Sequence, residues 1–118
     1  MTSYGTTRNE LTIVQHNVRH WRTIKNALTD IYNDISPDIL LINEHGVLDN
    51  DRLKIFNYNV HTTNKTNRLH KGTAIGIRKD LDYRLLDDFD SDMLAVTVQT
   101  RQGPVTIATA YIPPNAHY

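Results

Sequence analysis

The stretch from Leu11 to Glu44 constrains this chain most, because it sets two strand patterns on either side of one amphipathic helix pattern. Leu11-Thr12-Ile13-Val14-Gln15-His16-Asn17-Val18 is rich in β-branched residues and alternates at its start, which predicts a strand ending near Asn17. From Trp21, apolar residues recur at Ile24, Leu28, Ile31 and Ile35, a spacing that lays one stripe along a helix. Ser36-Pro37 ends that helix, because proline disfavours helical geometry in the residue before it. Ile39-Leu40-Leu41-Ile42 is a continuous apolar run, suited to a strand covered on both faces. Strand, helix and strand in so short a span predict a βαβ unit with parallel strands.

After this unit the chain reads as a succession of strands. A short helix is expected within 47–55 and a strand over 56–61. Residues 62–71 are almost free of apolar side chains and predict an exposed loop. Gly72-Thr73-Ala74-Ile75-Gly76-Ile77 predicts a strand whose small residues permit close packing. Strands over 83–86 and 93–98 flank an acidic turn, and Gln102-Gly103-Pro104 separates the second of them from a hairpin partner over 105–111. One crossover followed by strands favours an α/β fold with a mixed sheet and one main helix. A single helix covers only part of so wide a sheet, so the other face is expected to be exposed or to be covered by residues outside this chain.

Composition removes several function classes. Lysine plus arginine and aspartate plus glutamate both number 13, so no global basic charge attracts phosphate, although local patches remain open. Cysteine is absent, which excludes disulfides, a thiolate nucleophile and a cysteine-based zinc site. The polar start, 1–10, lacks a secretory layout, and no apolar run approaches the roughly 20 residues that span a bilayer. The chain reads as a soluble, intracellular protein without a membrane partner. For the same reason Asn64-Lys65-Thr66 reads as a chance match to a glycosylation acceptor.

Asn17 and Glu44 each fall just after the C-terminal end of adjacent parallel strands, the place where open α/β sheets gather ligands. Val14-Gln15-His16-Asn17-Val18 resembles the first motif of the endonuclease/exonuclease/phosphatase superfamily, a strand ending in asparagine. Pro37-Asp38-Ile39-Leu40-Leu41-Ile42-Asn43-Glu44 resembles the second, a proline-led buried strand that delivers a glutamate. Lys71-Gly72-Thr73-Ala74-Ile75 is similar to the glycine-led strand that follows, and Ala110-Tyr111-Ile112-Pro113-Pro114-Asn115 to the tyrosine-proline motif. The four matches keep the family's order and cover nearly the whole chain. Within the superfamily the Tyr-Ile-Pro-Pro ending and short spacings resemble the apurinic-site-like endonuclease domain of LINE-type retrotransposons.

The resemblance implies the N-terminal half of a four-layer α/β sandwich occupying 11–118, behind a polar tail at 1–10. It implies that Glu44 holds a divalent cation, Mg2+ with Mn2+ as its substitute, which polarises the scissile phosphate. Asn17 orients phosphate or attacking water, and Tyr111 bonds a phosphate oxygen as charge develops. Arg19, Arg22 and Lys71 are expected against the phosphates of DNA, or of RNA, with Lys25, Lys65, Arg68 and His70 nearby. The family's Gly-Asp-x-Asn and Asp-His motifs do not occur in the chain, so it is expected to be inactive alone. It is expected to need a C-terminal half, followed in a longer parent by a reverse transcriptase, and a nuclear location is implied by the mobile-element resemblance only.

The same motifs also serve phosphoester phosphatases, and a non-catalytic remnant that binds nucleic acid or protein is the other alternative. Arg19 stands where repair enzymes carry aspartate, and Asn43 replaces a common glutamine, which argues against repair-type specificity. Trp21 continues the apolar stripe and reads as core rather than as a base-stacking residue. His16 and His20 straddle a strand end rather than sharing a helix, and 88–92 reads as a solvated turn, because a calcium loop needs glycine at Met93.

Overall fold

The computed structural model describes residues 11–17, 21–43, 53–62, 73–86 and 93–110, without the side chains of 21–24. The tail 1–10, nearly all of the loop 62–71 and the acidic turn 88–92 therefore lie outside the described residues. The chain order is β1 (Ile13–Asn17), α1 (Trp21–Ile35), β2 (Ile39–Asn43), β3 (Tyr58–Thr62), β4 (Thr73–Arg78), β5 (Tyr83–Leu86), β6 (Met93–Thr100) and β7 (Gly103–Ala110). The βαβ unit is present, with β1 and β2 parallel from Ile13 opposite Ile39 to Asn17 opposite Asn43. Leu53 to Ile55 is not helical, so the expected short helix does not extend there, and 47–52 lie outside the description.

The class is α/β with one main helix, and the strands divide between two sheets, as the sandwich implied by the resemblance requires and a single mixed sheet would not. Sheet A has the order β1-β2-β4-β3 and sheet B the order β5-β6-β7. Sheet B solves the cover problem: Val96, Val98 and Ile107 pack on Ile39, Ile75 and Ile77 of sheet A. On the other face of sheet A, α1 and the 53–55 segment cover Leu40, Ile42 and Ala74. Gly76 lies on this helix-facing side, where an added Cβ would meet Leu40 Cβ at 3.3 Å.

The stripe of α1 is turned relative to the sequence expectation. Tyr32 is fully buried and Leu28 packs beside it, whereas Ile31 and Ile35 are 43% and 54% exposed. Tyr32 can occupy the interior because its hydroxyl has a partner there, His16 Nδ1 at 2.7 Å. An alkyl pattern does not register that option, since a buried tyrosine depends on the far end of its side chain being satisfied.

At the end where β1 and β2 begin, Asp38 is a buried junction. Its Oδ2 accepts the Thr12 N–H at 2.8 Å, and its Oδ1 pairs with Arg78 Nη2 at 2.9 Å. Arg78 Nη1 also donates to Ser36 O at 3.0 Å and its Nε to Asp80 Oδ1 at 2.6 Å, so one guanidinium joins the end of α1 to β2 and β4. Partial burial opposes the Arg78 charge, but Asp80 and Asp38 outweigh it and push the guanidinium pKa up. Beside them Tyr58 donates to Pro37 O at 2.6 Å.

One side of the sandwich is closed and the other open. On the closed side His61 of β3 and Tyr83 of β5 bridge the sheets through Nε2 and OH at 2.7 Å. Burial holds the His61 imidazole below its ordinary 6.5. Protonation is then easier in the unfolded chain, so this contribution is intact above about pH 6.5 and is lost as pH falls toward the depressed folded value. Thermal melting is expected to weaken between pH 7.5 and 5, and His61→Gln is expected to flatten that slope. An unchanged slope in the variant would assign the pH dependence to other groups.

On the open side the edge strands are β1 and β7. Ile13 pairs with Ile39 and Val105 with Val98, both of the inter-sheet core, so both should face inward by strand alternation. They are nonetheless 45% and 41% exposed. Among the described residues, the inward faces of these two edges are thus only partly covered at Ile13 and Val105, although Ile107 farther along β7 is buried.

Candidate functional site

The parallel pair β1-β2 ends at Asn17 and Asn43, and β4 begins beside them with Thr73 opposite Asn43. Ile39, Leu41, Ile75 and Ile77 belong to the inter-sheet core, so strand alternation places Asn17, Asn43 and Thr73 on that same face. They form a polar row across three adjacent strands, capping one end of an apolar interior. Thr73 is fully buried and its hydroxyl donates to Asn43 Oδ1 at 3.3 Å, which orients the amide, while Asn17 is exposed.

Sheet B points its last strand toward the same end. β4 finishes at Arg78, at the far end of sheet A, and the short turn 79–82 leads directly into β5, with Leu81 N–H bonded to Arg78 O. β5 therefore starts at the far end and runs back. Two antiparallel reversals, β5 to β6 and β6 to β7, return the chain to the polar row at Ala110. The described residues immediately before Glu44 and Tyr111, Asn43 and Ala110, thus lie at one end of the sandwich.

Of the residues expected to form the site, Asn17 is the one whose side chain is described. Arg22 lies at the start of α1 with its side chain outside the description, and Arg19, Glu44, Lys71 and Tyr111 lie outside the described residues. Among the described residues no three His, Cys, Asp or Glu side chains gather as a metal site. The row does offer amide oxygen atoms, from Asn17 and Asn43, which is the donor chemistry a hard cation with several waters accepts, while the buried Thr73 hydroxyl is turned to Asn43.

His16 faces away from this row, toward α1. Its ring stacks on Tyr32 with centroids 5.5 Å apart, and burial, followed by the neighbouring Tyr58, pushes the Tyr32 hydroxyl up to about 12. Tyr32 therefore keeps its proton, and its hydroxyl and His16 Nδ1 share one hydrogen bond. The pair anchors the strand one residue before Asn17. Sequence reasoning missed both Tyr32 and Thr73; for Thr73 the signal was its period-two spacing from Ile75 and Ile77.

The chain is thus an α/β sandwich of two facing sheets and one helix layer, with polar residues collected where its parallel strands end. This fold is shared with part of a solved endonuclease domain. It is similar to the endonuclease domain of TRAS1, a telomere-specific non-LTR retrotransposon, with a TM-score of 0.71 at 17% identity over 91% of this chain. The chain spans about half of that structure, 48% of its length. No protein-family profile and no curated protein sequence matches the chain.

Proposed function

We propose that this chain is one part of a metal-dependent endonuclease that hydrolyses DNA phosphodiester bonds at the end of the sandwich marked by Asn17 and Asn43. The observation that supports the reading is the polar row Asn17-Asn43-Thr73, set directly before Glu44 in a fold shared with a retrotransposon endonuclease domain. Glu44 would hold Mg2+, which when bound polarises the scissile phosphate and stabilises charge on the leaving oxygen. Thr73 fixes Asn43, and Asn43 sets the strand end from which Glu44 extends. Asn17, neutral and able both to donate and to accept, orients a phosphate oxygen or the attacking water without adding negative charge. Tyr111 donates to a phosphate oxygen, and Arg19, Arg22 and Lys71 hold the flanking backbone.

The general base belongs to a second part of the domain, which supplies the Gly-Asp-x-Asn and Asp-His motifs. The open side of the sandwich, at β1 and β7, supports such a partner, since added strands would cover Ile13 and Val105. Plasmid nicking tests both halves of the reading. The chain alone in Mg2+ is expected to leave supercoiled plasmid intact, whereas a fusion to a segment carrying the two motifs nicks it. Glu44→Ala in the fusion is expected to lower the rate about 100-fold or more, the equivalent of at least about 2.7 kcal/mol of transition-state stabilisation. Nicking by the isolated chain that Glu44→Ala abolishes would refute the two-part reading, and a fusion indifferent to Glu44→Ala would refute the metal role.

A further inference from the structure

Along the outer edge of sheet A, on the β3 side and away from the open side, runs a groove of about 670 Å³ that the proposed chemistry does not use. Its apolar walls include the ring of Tyr58 and Val60, its rim carries Lys54, Lys79 and Phe56, and it extends as far as Thr62. Thr62 pairs with Ala74, the neighbour of Thr73, so the groove leads from the Arg78 end of sheet A to the end that holds the polar row.

Phe56 is 71% exposed, the most exposed of the large apolar side chains described. Its position is fixed. The flanking Ile55 and Tyr58 are buried, the Tyr58 N–H donates to Ile55 O at 3.1 Å, and the Lys79 N–H donates to Asn57 O at 2.8 Å. Asn57 itself takes the left-handed conformation, φ 71°, that closes the turn. The turn thus holds the Phe56 ring out in water in a groove that two lysines also line, and among the described residues no carboxylate lines it.

We infer that this groove binds single-stranded nucleic acid, with a base stacked on Phe56 and the backbone held by Lys54 and Lys79. An aromatic platform beside cations suits a strand whose bases are unpaired, because every base has a face to stack while its phosphates follow the positive groups. Duplex DNA keeps its base faces covered, and a peptide adding to the β3 edge would draw on main-chain bonds that need neither Phe56 nor the lysines. The inference rests on the nucleic-acid reading above, and it places a second contact at the far end of the sheet from the polar row.

The test is fluorescence anisotropy of the whole chain with a labelled oligothymidylate in EDTA, so that metal binding at Glu44 contributes nothing. Phe56→Ala is expected to weaken binding about 5- to 150-fold, with Phe56→Trp restoring it. Removing both lysines is expected to make the log-log salt dependence shallower by about 1.4, two phosphates' share for a single strand. The assay needs neither metal nor cleavage, so a failure of the nuclease reading, seen in plasmid nicking, and a failure of the groove, seen here, give different results. Absence of binding, or binding that survives Phe56→Ala within twofold, overturns the proposal, as does equal affinity for duplex that ignores Phe56. Because Phe56 is exposed, a matching circular dichroism spectrum shows that Phe56→Ala remains folded.

Discussion

Asp38→Ala is expected to lower the free energy of unfolding by about 3–5 kcal/mol, because it removes a fully buried carboxylate that makes two charge-assisted hydrogen bonds, each contributing about 1.5–3 kcal/mol. Asp38 is fully buried, whereas the Arg78 side chain is 16% exposed and keeps Asp80 as a second partner. Alanine also removes the acceptor of the Thr12 N–H, which fixes where β1 enters the sheet. Domains of this size have only about 5–15 kcal/mol in hand, so the variant is expected to lose a large fraction of its stability. Asp38→Asn keeps the shape and an acceptor for Thr12 but faces Arg78 with a neutral amide, and should lose less. Urea denaturation of the two variants, with Arg78→Met to complete a double-mutant cycle, measures the coupling. A midpoint unchanged by Asp38→Ala would show that the junction does not hold the sheet.

The isolated chain is expected to self-associate through its open side, and Ile13→Lys combined with Val105→Lys is expected to make it monomeric. Two edge strands without a further strand partner among the described residues lie together there, and each presents an apolar side chain that faces inward yet remains over 40% exposed, 45% for Ile13 and 41% for Val105. Such edges pair readily with other strands, and a lysine on the edge is the usual defence against it. Sedimentation velocity over a wide range of concentration checks this. A wild-type chain that remains monomeric throughout would mean that the edge is protected. Association that persists in the double-lysine variant would place the contact elsewhere.

The local elements were legible in the sequence wherever a period was clean. Leu11 to Ile42 prescribes strand, helix and strand, and the helix spans Trp21–Ile35 as its apolar spacing and Ser36-Pro37 indicate. The parallel pairing followed from the crossover alone. What the pattern could not give was the face of α1: it marks Ile31 and Ile35, but Tyr32 goes inside because His16, on a strand sixteen residues earlier, satisfies its hydroxyl. Asp38 read as part of a motif, and only the arrival of Arg78 from β4 made it a buried junction.

The division of the strands had the same origin. Each of β5, β6 and β7 reads as a strand by itself, but whether they extend sheet A or face it depends on the turn 79–82, where Arg78, Leu81 and Asp82 set the path into a second layer. Alternation along a strand fixes which residues share a face, not what lies opposite that face. The sequence by itself therefore determined the elements, their order, the parallel pair and the end of it where Asn17 lies. Tertiary structure alone decided the two-layer arrangement, the row Asn17-Asn43-Thr73, the open side at β1 and β7 and the groove under Phe56, because each depends on contacts between residues far apart in the chain.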